Sequence, residues 1–327
     1  MMKNNLCITF SYIVVTLLAF AFNGFLNAET VSSPVVGFVA LDIQPDSDTV
    51  VTIGFHQAAE FSGKLSAAAS ISDGTATLNL QAVSGIGAAN QFAGSYYIRV
   101  RTGNESGRVL PILSNTTSSV TVDLEGAAEL QIAIEDQISI IPWWTLETLF
   151  PSAEQPAEQQ SAGNLPPERK LEMLLYTGGD GTSLSPSRIF FLTASGWKES
   201  KREFPSAGGV IIRPFAVMLM RSKSSGVTWK LLSSGRVNEN DSAILLQTSI
   251  NGSQDNVIGI DRPVAAKLNE LGLESAFEES ASNDPADRKD ELLILDNSES
   301  TKNRPPSATY FRTGGQWVLD GAGFPES

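Results

Sequence analysis

Cysteine and histidine are almost absent from this chain of 327 residues, which contains one of each. Cys7 lies in an N-terminal segment in which Lys3 precedes an apolar stretch and Ala28 offers a cleavage site. This pattern predicts a signal peptide over residues 1–28, with an uncleaved N-terminal anchor as the alternative. The mature chain then has no cysteine, so its hydrophobic core must hold the fold without disulfides. We expect an exported protein, located in the periplasm, at the cell surface or outside the cell.

The shortage of these two residue types excludes several catalytic centres. Cys-His catalysis and zinc sites built on several histidines are ruled out, and a Ser-His-Asp triad could use only His56. No G-x-S-x-G motif surrounds any serine, so we interpret His56 as a surface or hydrogen-bonded residue. Paired carboxylates for glycoside hydrolysis stay compatible with the sequence, and Glu172 and Glu291 hold matching repeat positions. Carboxylates at strand starts are usually solvated, so we predict no catalytic residue, and a glycan hydrolase is the least favoured function.

Basic residues are also scarce, since 23 Lys and Arg face 36 Asp and Glu and give a formal net charge of −13. A negative surface repels phosphate backbones, which argues against nucleic acid as a partner. No second apolar run approaches the length of a bilayer span, so the mature chain is predicted not to cross a membrane. Oxygen-rich loops such as PDSD and SNDPAD could attract Ca²⁺, but none fits the EF-hand pattern. No metal or cofactor site is therefore predicted, and calcium stays an alternative.

One segment of low apolar content, PSAEQPAEQQSAGNLPPE at residues 151–168, is typical of an extended linker. It divides the mature chain into an N-terminal β domain, 29–150, and a C-terminal β domain, 169–327. Period-two alternation in TATLNL and SVTVDL indicates half-buried strands. The stretch WTLETLF predicts one or two helical turns, and RPVAAKLNELGL predicts a short helix from Pro263 to Gly272. The predicted fold class is all-β, with two barrel-like or sandwich-like regions.

A twelve-residue phrase occurs twice in similar form, as PSRIFFLTASGW at 186–197 and as PSATYFRTGGQW at 306–317. Similar residues precede both copies, so the pattern predicts a duplicated strand-loop-hairpin unit over 170–199 and 289–319. The strand face shared by Phe191 and Phe311 is predicted to be buried, because Arg312 on the other face requires solvent. We expect the two units to lie side by side, with the first and last strands completing one sheet.

Five tryptophans are candidates for stacking against sugar rings, because exposed aromatic side chains bind polysaccharide in many β modules. The competing interpretation is that a tryptophan after a hairpin turn covers the core, or that adjacent tryptophans lie at a domain interface. The candidates are Trp143, Trp144, Trp197, Trp229 and Trp317.

Four phrases carry a family resemblance: SPVVGFVALDI, DQISIIPWWTLETLFP, DNVIGIDRP and SATYFRTGGQW. In these the chain resembles a family of uncharacterised exported β-rich proteins of verrucomicrobial-type bacteria. The resemblance implies a secreted β protein, and because the family has no assigned activity it implies no catalytic residue.

These observations favour a non-enzymatic structural, adhesive or binding protein of the cell envelope or extracellular space. The alternative is a carbohydrate-binding accessory module that uses exposed tryptophans. The expected partners are polysaccharides or envelope proteins.

Overall fold

A computed structural model describes residues 35–81, 85–176, 185–223, 226, 228–248, 252–298 and 300–321. The predicted signal peptide lies outside these residues. Within them the chain is built mainly from antiparallel strands, which confirms the all-β prediction. The described residues from Val36 onward group into one compact unit.

The N-terminal half contributes ten strands and the one α-helix found among the described residues. They are β1 Val36–Ile43, β2 Asp48–Thr52, β3 Phe61–Lys64, β4 Ser70–Ser72, β5 Thr75–Asn79, β6 Tyr96–Val100, β7 Val109–Asn115, β8 Ser119–Asp123, β9 Gln137–Pro142, β10 Trp144–Thr145 and α1 Leu146–Leu149. The C-terminal half contributes β11 Leu171–Tyr176, β12 Arg188–Thr193, β13 Gly196–Glu199, β14 Ile211–Ile212, β15 Val217–Ser222, β16 Trp229–Arg236, β17 Glu291–Ile294, β18 Ala308–Thr313 and β19 Gln316–Leu319.

The largest sheet has seven antiparallel strands in the order β3-β9-β6-β7-β8-β5-β4. The predicted alternation is confirmed in β5 and β8, where Ala76, Leu78, Val120 and Val122 are buried and their neighbours are not. Because side chains on a strand alternate between faces, this pattern buries one face of the sheet against its own core cluster.

A second sheet has five strands in the order β13-β12-β11-β15-β2. Its core includes Trp197 and the two leucines of α1, Leu146 and Leu149. Thr145 caps α1 by accepting a hydrogen bond from the backbone N–H of Thr148 at 3.2 Å. The helical turn predicted in WTLETLF is therefore confirmed.

The two regions on either side of residues 151–168 share strands. β1 pairs with β16 and β2 pairs with β15, so each pair joins a strand before this segment to one after it. The segment itself forms three 3-10 turns rather than an extended tether, at Ser152–Glu154, Ala157–Gln159 and Pro166–Glu168. Gln159 and Ser161 are buried. The predicted linker therefore does not divide the strands into two sets that pair only within each set.

The helix predicted from Pro263 to Gly272 is wrong, since only a 3-10 turn forms there, at Leu268–Glu270. Val264 is exposed, and the segment packs no apolar face against a core. A short helix depends on such packing for its stability. Gly272 has φ +65°, so it does end the turn as a glycine is expected to.

The two copies of the repeated phrase form antiparallel meanders with the same register. Glu172 lies opposite Phe191 in the first, and Glu291 lies opposite Phe311 in the second. Both phenylalanines are buried, as predicted. The expectation of one shared sheet is wrong, however, because β17-β18-β19 form a separate three-stranded sheet. In the first meander the strand next to β11 is β15, which leaves no room for β17 there.

The structural correspondence between the two copies begins nine residues before each predicted repeat boundary. The backbone N–H of Ser161 donates to the carbonyl of Leu192, and that of Ser280 donates to the carbonyl of Arg312, both at 2.8 Å. A 3-10 turn then precedes each first strand, at Pro166–Glu168 and at Pro285–Asp287. Part of the predicted linker and part of the acidic segment before β17 thus occupy equivalent positions in the two copies. We call 161–199 the first unit and 280–319 the second unit.

Each unit also places an arginine over its buried phenylalanine. The guanidinium carbon of Arg169 lies 4.3 Å from the ring centroid of Phe191, and that of Arg288 lies 4.5 Å from Phe311. Each arginine pairs with the glutamate three residues later, at 3.2 and 3.1 Å. These cation–π contacts bury the aromatic face without leaving a charge unpaired.

The equivalent tryptophans of the two units provide a matched stability test. Trp197 is buried and donates from Nε1 to the carbonyl of Phe150 at 2.8 Å, whereas Trp317 is half-buried and packs edge-on against Phe277. We expect Trp197→Ala to cost about 3–5 kcal/mol of unfolding free energy, and Trp317→Ala about 1–2 kcal/mol. Urea unfolding measures both, and equal losses would contradict the difference in burial.

Candidate functional site

β1 and β16 form a two-stranded ribbon that covers the core with one face only. Leu41, Ile43, Trp229 and Leu231 point inward and contact the core cluster. The opposite face carries Val36, Phe38, Ala40 and Leu232, all exposed. We call these four residues the ribbon face. An apolar cluster open to solvent on a strand pair is typical of a contact surface.

A cleft of about 300 Å³ adjoins the ribbon face. It is lined by Val36, His56, Gln57, Ala58, Trp144, Ser234, Gly235 and Arg236. Val36 therefore belongs to both the ribbon face and the cleft.

The cleft lies where a β-ladder is interrupted. The backbone N–H of His56 donates to the carbonyl of Arg236 at 3.0 Å, and the N–H of Arg236 donates back at 2.8 Å. Beyond this bridge the chain at Gln57 and Ala58 runs along the opposite cleft wall. Backbone groups in an antiparallel strand alternate in direction, so those of Ser234, Leu232 and Lys230 point to the same side as those of Arg236. Within the described residues no strand pairs with that edge of β16.

Two hydrogen bonds hold the cleft wall in place. Trp144 donates from Nε1 to the carbonyl of Phe55 at 3.0 Å, and Gln57 donates from Nε2 to the carbonyl of Trp143 at 2.7 Å. Gly235 lies so close to Phe55 that a Cβ atom there would meet the Phe55 side chain at 2.8 Å. The ribbon can approach the wall because this position has no side chain.

His56 is the titratable group of the cleft with a shifted pKa. Burial lowers its pKa below the ordinary value of 6.5, and Arg99 and Arg101 lower it further, against opposing contributions from the Gln57 carbonyl and Asp261. Nδ1 lies 2.7 Å from the carbonyl of Gln57, so it donates there. The ring is then neutral at pH 7. In the described part of the chain, His56 forms no hydrogen bond with a serine, threonine or carboxylate side chain.

The structure separates the five candidate stacking tryptophans into two groups. Trp143, Trp197 and Trp229 are buried, Trp143 against the ring of Tyr97 at 4.4 Å. Burial removes these three from the candidates, because a covered ring cannot offer its face to a sugar. Trp144 and Trp317 are half-buried, the former in the cleft and the latter in the second unit.

The two glutamates at matching repeat positions lie in different sheets. Glu172 is buried and pairs with Arg169 at 3.2 Å and with Lys223 at 2.8 Å. Glu291 is exposed and pairs with Arg288 at 3.1 Å. Their surroundings indicate structural ion pairs, in each case with an arginine of the same unit, and for Glu172 also with Lys223, which follows β15.

Two kinds of site are absent from the described residues. No group of three or more His, Cys, Asp or Glu side chains is placed to hold a metal ion. No helix there combines the length and the apolar content needed to cross a bilayer.

Comparisons of the chain with protein-family models, with curated proteins and with solved structures found no match. The family resemblance of the four quoted phrases therefore stays a prediction. In the structure, the phrase around Trp143 and Trp144 supplies β9, β10 and α1, and most of its apolar residues are buried.

The ribbon face was missed at the level of sequence. VGFVALDI is apolar at both odd and even positions, which is typical of a strand buried on both faces. The structure reveals that one of these faces has no cover among the described residues.

The single histidine makes the protonation of the cleft directly measurable. We expect the Hε1 resonance of His56 to titrate in NMR spectra with a midpoint below 6.5, because burial disfavours the charged ring. The unfolded chain binds the proton first, so this contribution to stability is complete above pH 6.5 and declines as the pH falls through the folded pKa. His56→Gln is the control and should show a flatter acid dependence. A midpoint at or above 6.5 would contradict the burial.

Proposed function

We propose that this chain is an exported, non-enzymatic protein that acts in structure or adhesion by binding protein partners of the cell envelope or extracellular space. The observation that carries the proposal is the ribbon face next to the open edge of β16. The N-terminal leader pattern supports export.

The chemistry of this region suits a protein strand as the bound group. Backbone N–H and C=O groups at a sheet edge pair with any extended chain, and an adjacent apolar face adds burial energy. Phe38 is 63 % exposed at the centre of this face. Burying a side chain of that kind contributes about 1.5–3 kcal/mol, which the free protein does not gain.

A capture experiment with a matched control tests the proposal. Phe38→Glu should abolish retention of protein partners from envelope fractions, because a carboxylate in the contact would be desolvated. Ile134→Glu is the control, since Ile134 is 57 % exposed but lies in a turn away from the ribbon. Captured proteins are identified by mass spectrometry. Equal capture by both variants would contradict the proposal, as would an exported chain whose N-terminus retains the leader.

Carbohydrate binding is the second candidate, and the position of Trp144 favours it. Its ring is half-buried in a cleft that also offers a neutral imidazole and an amide, the groups that commonly bind sugar hydroxyls.

Calorimetry against a panel of oligosaccharides separates the two candidates. Under the main proposal the wild-type chain should give no binding heat. Heat that disappears in Trp144→Ala but persists in Trp317→Ala would instead support the carbohydrate module. Trp317 is a suitable control because it is half-buried in a different part of the fold.

A further inference from the structure

The two units share a sequence motif as well as a strand pattern. SAGNLPPERKLE at 161–172 and SASNDPADRKDE at 280–291 have Ser, Ala, Asn, Pro, Arg, Lys and Glu at the same positions. The motif ends at Glu172 on β11 and at Glu291 on β17. Each glutamate lies opposite the buried phenylalanine of its own unit. The surroundings of β11 therefore indicate what the equivalent surroundings of β17 can hold.

The two units differ at one strand edge. β11 pairs with β12 on one side and with β15 on the other, whereas β17 pairs with β18 alone among the described strands. Leu174 on β11 is 5 % exposed, while its counterpart Leu293 on β17 is 41 % exposed. Within the described residues, the second unit thus has no strand in the position that β15 occupies in the first.

The backbone groups of Leu293 point toward this position. The N–H of Asp320 donates to the carbonyl of Thr309 at 2.8 Å, so the backbone groups of Thr309 face β19 and not β17. Leu293 lies directly opposite Thr309. Opposite residues of an antiparallel pair either bond to each other or both point away, so the N–H and C=O of Leu293 face the free side of β17. At the equivalent position in the first unit, Leu174 lies opposite Leu219 of β15.

β15 shows what kind of strand suits this edge. It runs antiparallel to β11, with an apolar run from Val217 to Met220 followed by Arg221, which lies opposite Glu172. Lys223, just after β15, pairs with Oε2 of Glu172 at 2.8 Å. The strand therefore supplies apolar residues along β11 and two cations near its glutamate.

Glu291 has no equivalent of these two cations in the described part of the chain. Its side chain is 39 % exposed, against 8 % for that of Glu172, and it pairs through Oε1 with Arg288. Arg288 is shared with Asp320 at 2.6 Å. Asp290 adds a further carboxylate at this end of β17. A cation placed opposite Glu291 would be attracted to this acidic end of the strand.

We propose that the free edge of β17 binds an extended segment of a partner protein in which several apolar residues precede an arginine or lysine. The segment pairs antiparallel with β17, so that its apolar residues lie opposite Leu292, Leu293 and Ile294 and its cation lies opposite Glu291. Backbone hydrogen bonds hold such an added strand, and the side chains opposite each other select its sequence.

A second copy of β17 does not have this chemistry. In an antiparallel pair of two β17 strands centred on Leu293, Asp290 of one would face Asp296 of the other, and like charges directly opposite are destabilising. The edge also belongs to a different sheet from the ribbon. The inference therefore adds a second contact surface to the proposed function and does not depend on it.

A peptide that copies β15 is the probe. Its sequence is FAVMLMRSK, residues 215–223, and its binding to residues 29–327 of the chain is followed by fluorescence anisotropy of a label at the peptide N-terminus. We expect saturable, equimolar binding that is weak, because a contact of one short strand is small. Leu293→Pro should weaken it by at least about tenfold, since proline removes the outward N–H and obstructs the new ladder.

Leu319→Pro is the matched control. Leu319 is 38 % exposed on β19, at the opposite edge of the same sheet, and its N–H also faces away from the hairpin because the adjacent Asp320 bonds to Thr309. Leu319→Pro and Phe38→Glu should both leave peptide binding unchanged, and circular dichroism confirms that each variant is folded. Binding that is lost in either of them but kept in Leu293→Pro would overturn the inference.

Charge exchange provides a second route if a proline variant fails to fold. Glu291→Lys should bind the peptide about fivefold more weakly and should recover binding to a peptide that carries Arg221→Glu and Lys223→Glu. Glu129→Lys changes the net charge equally at an exposed residue outside the second unit, and should keep the preference of the wild type.

Two results would overturn the inference without touching the proposed function. One is the absence of saturable binding of the β15 peptide to the wild-type chain. The other is an equal change of preference in Glu291→Lys and Glu129→Lys, which would reduce the effect to overall charge. In both cases the capture experiment with Phe38→Glu still decides whether the ribbon face binds protein partners.

Discussion

A buried ion pair between Arg99 and Asp261 connects the seven-stranded sheet to the irregular segment that follows β16. Their side chains are 2 and 7 % exposed. Asp261 also accepts hydrogen bonds from Asn238 at 3.1 Å and from Ser242 at 2.5 Å. Losing one partner of a buried pair costs about 3–5 kcal/mol, because the other charge stays desolvated. The exit of β16, and with it the position of the ribbon and cleft, depends on this pair.

The same pair also acts on His56 in the cleft, with two opposing effects on its pKa. Arg99 lowers the pKa of His56 and Asp261 raises it, and burial outweighs both effects. The cleft therefore presents a neutral ring beside an open strand edge. An open strand edge beside an apolar face favours an extended peptide, whose backbone can pair with the strand while its side chains cover the apolar residues.

Local sequence patterns predicted the features that depend on neighbouring residues, such as which face of a strand is buried. They failed for features that are determined by contacts between residues far apart in the chain. The period of two in β5 and β8 and the shared face of Phe191 and Phe311 follow from strand geometry alone. The segment 151–168 resembles a linker in composition, yet Ser161 hydrogen-bonds to Leu192 and is buried, which only the folded partner can determine. The cleft could not be predicted from the sequence either, because long-range pairing brings His56 and Trp144 to Arg236. The open edge of β17 could not be predicted, because its apolar run resembles that of the enclosed β11.

The two units show how one strand pattern serves two purposes. In the first, β15 and β2 continue the sheet beyond β11, and buried Glu172 pairs with buried Arg169 and half-buried Lys223. In the second, no described strand pairs with the corresponding edge, and Asp290 and Asp296 stand at the two ends of β17. Pairing of β17 with an identical strand, centred on Leu293, would set Asp290 opposite Asp296, so these charges disfavour it. Backbone pairing alone would accept almost any extended chain, so this repulsion is what discriminates against an identical strand.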